Sequence, residues 1–243
     1  MSISKNQLKL IISLSQKKYR QKHLLFIAEG IKVVQEILNS SLEVVQIFST
    51  DNLFTSIPEE KRARISEADL KKISSLKTPN KVLGLFRIPE KKISSKNGLI
   101  IALDDINDPG NLGTIIRLCD WFGVAKLVCS NQTVDCYNQK VVQASMGSLT
   151  RVNMEYLNLS DYIKQTKLPV FVADMNGENV YTAALPKEAI LILGNEANGV
   201  SAEIKKMVKN IISIPQFGAS QQTESLNVAA ATAVLLSEFR RGL

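Results

Sequence analysis

Histidine and cysteine are scarce in this chain of 243 residues, which has one histidine and three cysteines. A lone histidine, His23, excludes His-rich metal sites and argues against a Ser-His-Asp triad. The cysteines Cys119, Cys129 and Cys136 are odd in number and lack CxxC spacing, so we interpret them as reduced packing residues. We therefore expect no metal site.

Long hydrophobic runs are also missing. The longest, such as 99–103 and 189–193, have the length of strands and are too short to span a bilayer. The N-terminal residues lack the continuous apolar segment and cleavage site of a secretory signal. We therefore expect a cytoplasmic protein without membrane association.

Positive charge is concentrated in the first part of the chain. Residues 1–96 hold 18 Lys and Arg against 9 Asp and Glu, whereas residues 97–243 hold 12 against 14. This asymmetry is typical of a polyanion-binding module joined to a near-neutral module. A generally lysine-rich surface explains the charge equally well, so charge alone does not decide between them.

The hydrophobic pattern divides at a polar, Gly-terminated stretch, 94–98, that is typical of a linker. Before the linker we predict helices at 5–13, 31–38 and 67–73, and strands at 43–48 and 82–88. This alternation favours a small α/β sandwich domain over 1–93.

Residues 99–243 alternate strands and helices more regularly and form the second predicted domain. We predict strands at 99–103, 126–129, 152–156, 170–173, 190–193 and 211–214, and helices at 112–121, 137–146, 160–165, 202–208 and 225–240. Continuously apolar strands between helices predict a parallel sheet covered on both faces. Ligands of such sheets bind at the carboxyl ends of the strands, so the loops there should carry the function.

The first such loop, 104–113, contains three aspartates and a Pro-Gly turn, and Asn111 is its predicted helix N-cap. Arg117 lies opposite the apolar face of the following helix. Taken alone, Arg117 would be a solvated surface residue and the aspartates a solvated turn. The loop lacks the glycine patterns of dinucleotide and P-loop sites, which argues against an enzyme that uses NAD or ATP.

Two further loops precede helices. In 193–201, Gly194 and Gly199 let the backbone approach a ligand closely, Glu196 is a candidate functional carboxylate, and Ser201 is the predicted N-cap. The third loop runs from 214 to 227 and opens the last helix, which carries a stripe of alanines. Each loop by itself is weak evidence of function.

In this order and spacing, the loops resemble the SpoU, or TrmH-like, branch of the SPOUT RNA methyltransferases. The matching segments are DPGNLGTIIR at 108–117, LILGNE at 191–196, and IP at 214–215 with ESLNVA at 224–229. Two local departures lie in the third loop. Gln216 stands where methionine is usual, and the segment between Gly218 and Ser225, which could alter the rim of the cofactor pocket, is a few residues longer.

The first domain is similar to the L30e-like substrate-binding domain that many of these enzymes carry, through FIAEG at 26–30 and TPNKVLG at 78–84. That domain helps to hold structured RNA, which agrees with the positive charge. Candidate RNA-binding residues are Lys17, Lys18, Tyr19, Arg20 and Lys22. In this set Tyr19 would stack on a base, whereas the alternative is a solvated helix face.

The resemblance implies a deep trefoil knot in the C-terminal α/β domain, and a homodimer with the knot helices at its interface. It implies an S-adenosylmethionine-dependent RNA 2′-O-ribose methyltransferase whose cofactor is bound at Gly194, Ile214 and Leu226. It assigns catalysis to Arg117 and Asn111, and we place Glu196, Ser225 and Asn227 in support. Arg117 would act as a base or as an electrostatic stabiliser of the developing alkoxide, and the sequence leaves both open.

By analogy, the L30e-like domain favours ribosomal RNA over transfer RNA as the substrate. One alternative is a tRNA 2′-O-methyltransferase. Another is a non-catalytic RNA-binding protein of the same fold, such as a ribosome assembly factor. The joint presence of the five catalytic and supporting residues argues against the second alternative.

Overall fold

Residues 3–90, 97–218 and 225–241 are described by a computed structural model of the protein. The predicted linker residues 94–96 and the longer segment of the third loop, 219–224, lie outside the described residues. Contacts divide the chain into two units. The first unit contains Met1–Glu90 and Asp135–Thr150, and the second contains Lys91–Val134 and Arg151–Leu243.

The first unit is built on a four-stranded sheet of order β1-β4-β2-β3, in which only the β2–β3 pair is parallel. Its elements from the first ninety residues are α1 (Lys5–Ser13), α2 (Lys17–His23), β1 (Leu25–Glu29), α3 (Ile31–Leu38), β2 (Val44–Ser49), β3 (Arg62–Arg64), α4 (Glu67–Ile73) and β4 (Val82–Arg87). Leu25 and Ile27 of β1 pack in one apolar core with Ile11 of α1 and Leu70 of α4. Because side chains alternate along a strand, Phe26 points to the other face of the sheet.

Three predicted helices of this unit, α1, α3 and α4, are confirmed with their predicted limits. The sequence patterns did not predict β1, whose five residues are all buried and therefore show no alternation of polar and apolar types. The basic stretch after α1 is itself a helix, α2.

The segment Asp135–Thr150 packs with the first unit, although the predicted division at 94–98 places it in the second domain. It contains α6 (Gln139–Ser145), which contacts β1. The ring of Tyr137 lies 4.9 Å from that of Phe26, on the face of β1 opposite α1. Asp135 is paired with Arg20 of α2. The segment therefore supplies an apolar partner to Phe26 and a charged partner to Arg20.

The second unit contains a six-stranded sheet in which every pair of neighbouring strands is parallel, in the order β10-β8-β9-β5-β6-β7. Its strands are β5 (Leu99–Asp104), β6 (Lys126–Ser130), β7 (Met154–Leu157), β8 (Val170–Asn179), β9 (Ala189–Gly194) and β10 (Asn210–Ser213). Its helices are α5 (Pro109–Trp121), α7 (Leu159–Gln165), α8 (Ala202–Met207) and α9 (Val228–Phe239). The central strands β5 and β9 are almost wholly buried, as the continuous apolar runs predicted.

The predicted α/β class and parallel sheet are confirmed. The last helix begins at Val228 rather than at the predicted 225, because Asn227 is its N-cap and accepts hydrogen bonds from the N–H groups of Ala229 and Ala230. Strand pairing does not define how the chain is threaded, so the trefoil knot stays a prediction. No helix in the described part of the chain is long and apolar enough to cross a membrane.

Candidate active site

The first two predicted functional loops lie side by side at one edge of the parallel sheet. Strands β5 and β9 are neighbours, and their last residues, Asp104 and Gly194, are paired. The loops that follow these strands therefore leave the sheet at the same point. Asn195 and Asp104 tie the two loops together: the Asn195 Nδ2 donates to the Asp105 carbonyl at 2.8 Å, and the Ser201 N–H donates to the Asp104 carboxylate at 2.8 Å.

A chain of three side chains joins all three loops. The Nδ2 of Asn111 donates to Glu196 Oε1 at 2.8 Å, and the Nδ2 of Asn227 donates to Asn111 Oδ1 at 2.9 Å. Asn111 belongs to the first loop, Glu196 to the second and Asn227 to the third. The fold thus brings together three of the five predicted catalytic and supporting residues.

The direction of these hydrogen bonds is fixed at both ends of the series of three side chains, at Glu196 and at Asn227. An ionised carboxylate only accepts, so Glu196 requires the NH2 group of Asn111 to face it. Backbone N–H groups only donate, so the N–H groups of Ala229 and Ala230 require the Oδ1 of Asn227 to face α9. The Nδ2 group of Asn227 then faces Asn111 and donates to it. Glu196 and the N-terminus of α9 therefore hold both amides in one orientation.

Asn111 is free for this role because another residue caps its helix. The N-cap of α5 is Asp108, whose Oδ1 accepts from the Asn111 N–H at 2.8 Å, and Pro109 occupies the first helical position. The prediction that Asn111 is the N-cap is therefore wrong. Ser201 does occupy the N-cap position of α8, but its side chain makes no capping hydrogen bond.

Arg117 lies on the exposed side of α5, six residues after Asn111. Its guanidinium makes no hydrogen bond or ion pair with another described residue, whereas such contacts are made by the guanidinium groups of Arg20, Arg62, Arg87, Arg151, Arg240 and Arg241. Surface arginines of this protein usually find an internal partner, and Arg117 keeps its five N–H donors available for a ligand. This distinguishes it from the solvated surface residue that α5 alone would suggest.

Comparisons with known proteins identify the family of the second unit. Residues 98–237, more than half of the chain, match the model of the SpoU rRNA Methylase family. The chain belongs to the SpoU rRNA methylase family. Residues 5–84 match the MRM3-like substrate binding domain. The predicted resemblance is confirmed, and with it the predicted class of enzyme, an RNA methyltransferase.

Several relatives match this SpoU-family chain over nearly its full length. The 23S rRNA (guanosine(2553)-2′-O)-methyltransferase RlmP of Bacillus subtilis is 32% identical, over 93% of each chain. A TrmH-family protein from Porphyromonas gingivalis is 36% identical over 99% of each chain, with a TM-score of 0.89. An AdoMet-bound rRNA methyltransferase from Sinorhizobium meliloti is 28% identical, with a TM-score of 0.87, and the match covers 100% of this chain and 97% of that one.

The three predicted cofactor positions of the SpoU-family unit lie at strand ends or at a helix start. Gly194 ends β9, Ile214 follows β10, and Leu226 precedes the N-cap of α9. A Cβ at Gly194 would lie 2.1 Å from the backbone carbon of Gly199, so the loop closes as a tight backbone turn. Ile214 is half-buried and Leu226 is 54% exposed. If S-adenosylmethionine binds at these positions, backbone groups beside apolar side chains would suit its uncharged adenine base.

The predicted RNA-binding residues separate into two groups. Lys17, Lys18 and Lys22 are exposed, and Tyr19 is half-buried with the Lys18 ammonium 5.0 Å from its ring centre. Arg20 is only 2% exposed. Its guanidinium donates to Asp135 and to the carbonyls of Leu14 and Ser15. It is not available to a phosphate, so we remove Arg20 from the predicted set.

The remaining titratable residues give no sign of further chemistry. The three cysteines are buried and unbridged, and burial raises the pKa of the Cys119 thiol. In the described part of the chain, no group of three or more His, Cys, Asp and Glu side chains is placed to hold a metal ion. The absence of a metal from the reaction stays a prediction.

The sequence patterns missed residues that shape this site. Asn195 and Asp104 connect the first two loops, and the only available signal was their position at strand ends, where Asn and Asp often form turns. Asp105 adopts a left-handed conformation, with φ of 60°. Its N–H donates to the Ser130 hydroxyl at 3.0 Å, which holds the first loop against β6.

Proposed function

We propose that this protein transfers a methyl group from S-adenosylmethionine to a ribose 2′-hydroxyl of 23S ribosomal RNA. Its membership of the SpoU rRNA methylase family supports this, as does the nearly full-length match to a 23S rRNA 2′-O-methyltransferase. The observation that carries the proposal is the hydrogen-bonded chain from Glu196 through Asn111 to Asn227, with the unpartnered Arg117 on the same helix as Asn111.

S-adenosylmethionine, when bound at Gly194, Ile214 and Leu226, supplies a methyl group activated by its sulfonium. The protein must hold the 2′-oxygen in line with that methyl group, so that the oxygen–carbon bond forms as the carbon–sulfur bond breaks. It must also assist release of the hydroxyl proton to water. Asn111, Glu196 and Asn227 serve the first task, because their hydrogen bonds fix the three loops relative to one another. Ser225, which is exposed two residues before Asn227, would contact the substrate.

Arg117 serves the second task by electrostatics. Arginine normally keeps its proton in proteins, so it donates hydrogen bonds and does not accept the hydroxyl proton. Its exposed guanidinium would bind the phosphate next to the target ribose and stabilise negative charge that develops on the 2′-oxygen. Of the two roles that the sequence leaves open, the structure favours stabilisation, since α5 presents Arg117 outward and without an internal partner.

The partners follow from the same proposal. Lys17, Lys18 and Lys22 would bind RNA phosphates, with Tyr19 beside them. We infer a homodimer from the family resemblance. Ala230, which is exposed, and Ala233, which is partly buried, lie three residues apart on one face of α9 and would allow close helix packing there. A ribosomal RNA substrate favours a cytoplasmic location.

The first test is methyl transfer to RNA. The protein is incubated with radiolabelled S-adenosylmethionine and with ribosomal or transfer RNA from a strain that lacks the gene. We expect label in 23S RNA that survives alkali as a dinucleotide, and its loss with Arg117→Ala by a factor of roughly a hundred or more. Label in transfer RNA, or in a base, would contradict the proposal. Failure to bind the cofactor would favour a non-catalytic RNA-binding protein.

A further inference from the structure

The side-chain amide of Asn195 forms hydrogen bonds at both of its ends. Its Nδ2 donates to the Asp105 carbonyl at 2.8 Å. Its Oδ1 accepts from the N–H groups of Ala197 at 2.9 Å and Asn198 at 3.1 Å. This half-buried side chain therefore closes its own turn in the second loop and connects that turn to the first loop.

The turn that Asn195 closes carries Glu196. The backbone N–H and carbonyl of Asn195 are both paired with Gly199, at 3.1 and 2.9 Å. Gly199 has a φ of 66°, in the left-handed region that favours glycine. Glu196 lies inside this closed turn, directly after Asn195. The hydrogen bonds of Asn195 therefore set the backbone position from which the Glu196 carboxylate reaches Asn111.

Asp105, the acceptor in the first loop, has a left-handed backbone with φ of 60°. Residues other than glycine adopt this conformation rarely, and it persists where the surrounding structure holds it. The Asp105 N–H donates to the hydroxyl of the buried Ser130 at 3.0 Å, and its carbonyl accepts from Asn195. Asp105 is thus held from both sides, six residues before Asn111 in the same loop.

The sheet does not depend on the Asn195–Asp105 hydrogen bond. Strands β5 and β9 are already paired along their length, from Leu99 opposite Ala189 to Asp104 opposite Gly194. Asn195 and Asp105 follow this last pair, at the point where the two loops leave the sheet. Loss of their hydrogen bond should therefore change the relation between the loops and leave the sheet intact.

The contacts of Asn195 also require an amide. An asparagine side chain offers a donor and an acceptor on one carbon atom, whereas an ionised aspartate of the same shape only accepts. The two N–H groups of the turn need the acceptor, and the carbonyl of Asp105 needs the donor. Asparagine meets both needs at once.

We propose that Asn195 is a positioning residue for methyl transfer, which holds the first two loops so that Glu196 accepts from Asn111. This inference rests on the proposed function. Asn195 acts through Glu196 and Asn111, and its own amide is occupied by the protein backbone. Its loss should therefore slow the chemical step and leave the affinity for RNA unchanged.

The variant Asn195→Asp keeps the shape and the acceptor atoms, but it replaces the donor by an ionised oxygen that faces a carbonyl. We expect kcat at saturating S-adenosylmethionine and 23S RNA to fall by roughly tenfold, with the KM for RNA unchanged. Asn198→Asp is the matched control, because it adds the same charge to the same turn at an exposed position. It should retain the wild-type kcat. Equal losses of kcat in both variants, or a change confined to KM, would overturn the proposal.

Asn195→Ser gives the same comparison without added charge, should Asn195→Asp fail to fold. A hydroxyl at this position can still accept from the N–H groups of the turn, but it is too short to bridge to Asp105 as well. We expect a similar loss of kcat, with a circular dichroism spectrum like that of the wild type. A wild-type kcat in Asn195→Ser would show that the bridge is not needed for the reaction.

A double variant tests whether Asn195 acts through Glu196. If it does, Asn195→Asp combined with Glu196→Ala should be little slower than Glu196→Ala alone, because the hydrogen bond that Asn195 positions is already lost. Losses that multiply, to roughly a hundredfold in total, would show independent action and contradict the inference.

A spectroscopic readout separates the positioning role from the reaction itself. The side-chain NH2 resonance of Asn111, assigned by nuclear magnetic resonance with Asn111→Ala, reports on its hydrogen bond to Glu196 without RNA. We expect this resonance to move in Asn195→Asp toward its position in Glu196→Ala, and to stay in place in Asn198→Asp. If the wild-type protein methylates no RNA while the resonance still moves, the proposed reaction fails and the positioning of Glu196 by Asn195 stands. A resonance that stays in place in Asn195→Asp would refute the positioning role.

Discussion

The side-chain amide of Asn111 donates a hydrogen bond of 2.8 Å to the carboxylate of Glu196, although 85 positions separate the two residues in the chain. Asn227 completes the connection from the third loop. The active site is therefore held together by polar side chains, and each connection can be removed separately.

Glu196→Ala should reduce methyl transfer while the fold is preserved. A hydrogen bond to a charged group contributes about 1.5 kcal/mol or more, which corresponds to a factor of roughly ten in rate if the bond is needed in the transition state. The measurement is kcat and KM for RNA under saturating cofactor. Glu203→Gln, an exposed carboxylate on α8, is the control and should retain full activity. Equal activities of the two variants would show that the Asn111–Glu196 bond does not support catalysis.

Asp135→Ala should destabilise the first unit, because it leaves the buried guanidinium of Arg20 without its carboxylate partner. Removal of one member of a buried ion pair costs about 3 kcal/mol or more. Urea unfolding followed by circular dichroism measures the loss. Asp51→Ala removes the carboxylate of an exposed pair with Lys81 and should lower the unfolding free energy far less than Asp135→Ala does. A similar small loss for both would mean that 135–150 is not an integral part of this unit.

Much of this fold follows from local patterns. Helices α1, α3 and α4 begin and end where the hydrophobic spacing predicts, and serines cap the N-termini of α1 and α4. The buried strands β5 and β9 were visible as continuous apolar runs. In contrast, β1 shows no alternation, and the association of Asp135–Thr150 with the first unit depends on contacts between distant residues such as Arg20 and Asp135.

The candidate site was predicted through the family resemblance more than through the residues themselves. The identity of Asn111 does not by itself decide between two roles, helix N-cap and hydrogen-bond donor to Glu196, because the side-chain amide can perform either one. Arg20 looked like its basic neighbours in sequence, and only the packing of α2 shows that it is buried.

Exposed lysines of α2 should contribute to RNA binding through phosphate contacts. Replacement of Lys17, Lys18 and Lys22 by Ala should weaken binding of 23S RNA and leave cofactor affinity intact. If each lysine contacts one phosphate, the slope of log K against log salt should fall by about two to three. A triple variant at the exposed Lys5, Lys9 and Lys71 removes the same charge from the first unit and should change the slope less. Equal changes in both variants would indicate a general charge effect.

Acid should weaken a connection between β8 and α8 in the second unit. Lys205 donates to Asp174, and this hydrogen bond is the main cause that lowers the pKa of the Asp174 carboxyl below its ordinary value of 3.8. A carboxylate whose pKa is lower in the folded state than in the unfolded state stabilises the fold at pH values above the unfolded-state pKa. This stabilisation is lost as the pH falls through the folded-state pKa. The difference in unfolding free energy between wild type and Asp174→Asn should thus be constant near neutral pH. This difference should shrink only below about pH 4.

Glu188→Gln, which replaces an exposed carboxylate before β9, should follow the wild-type curve throughout. A difference between wild type and Asp174→Asn that persists unchanged into strong acid would show that Asp174 acts through packing and not through its charge.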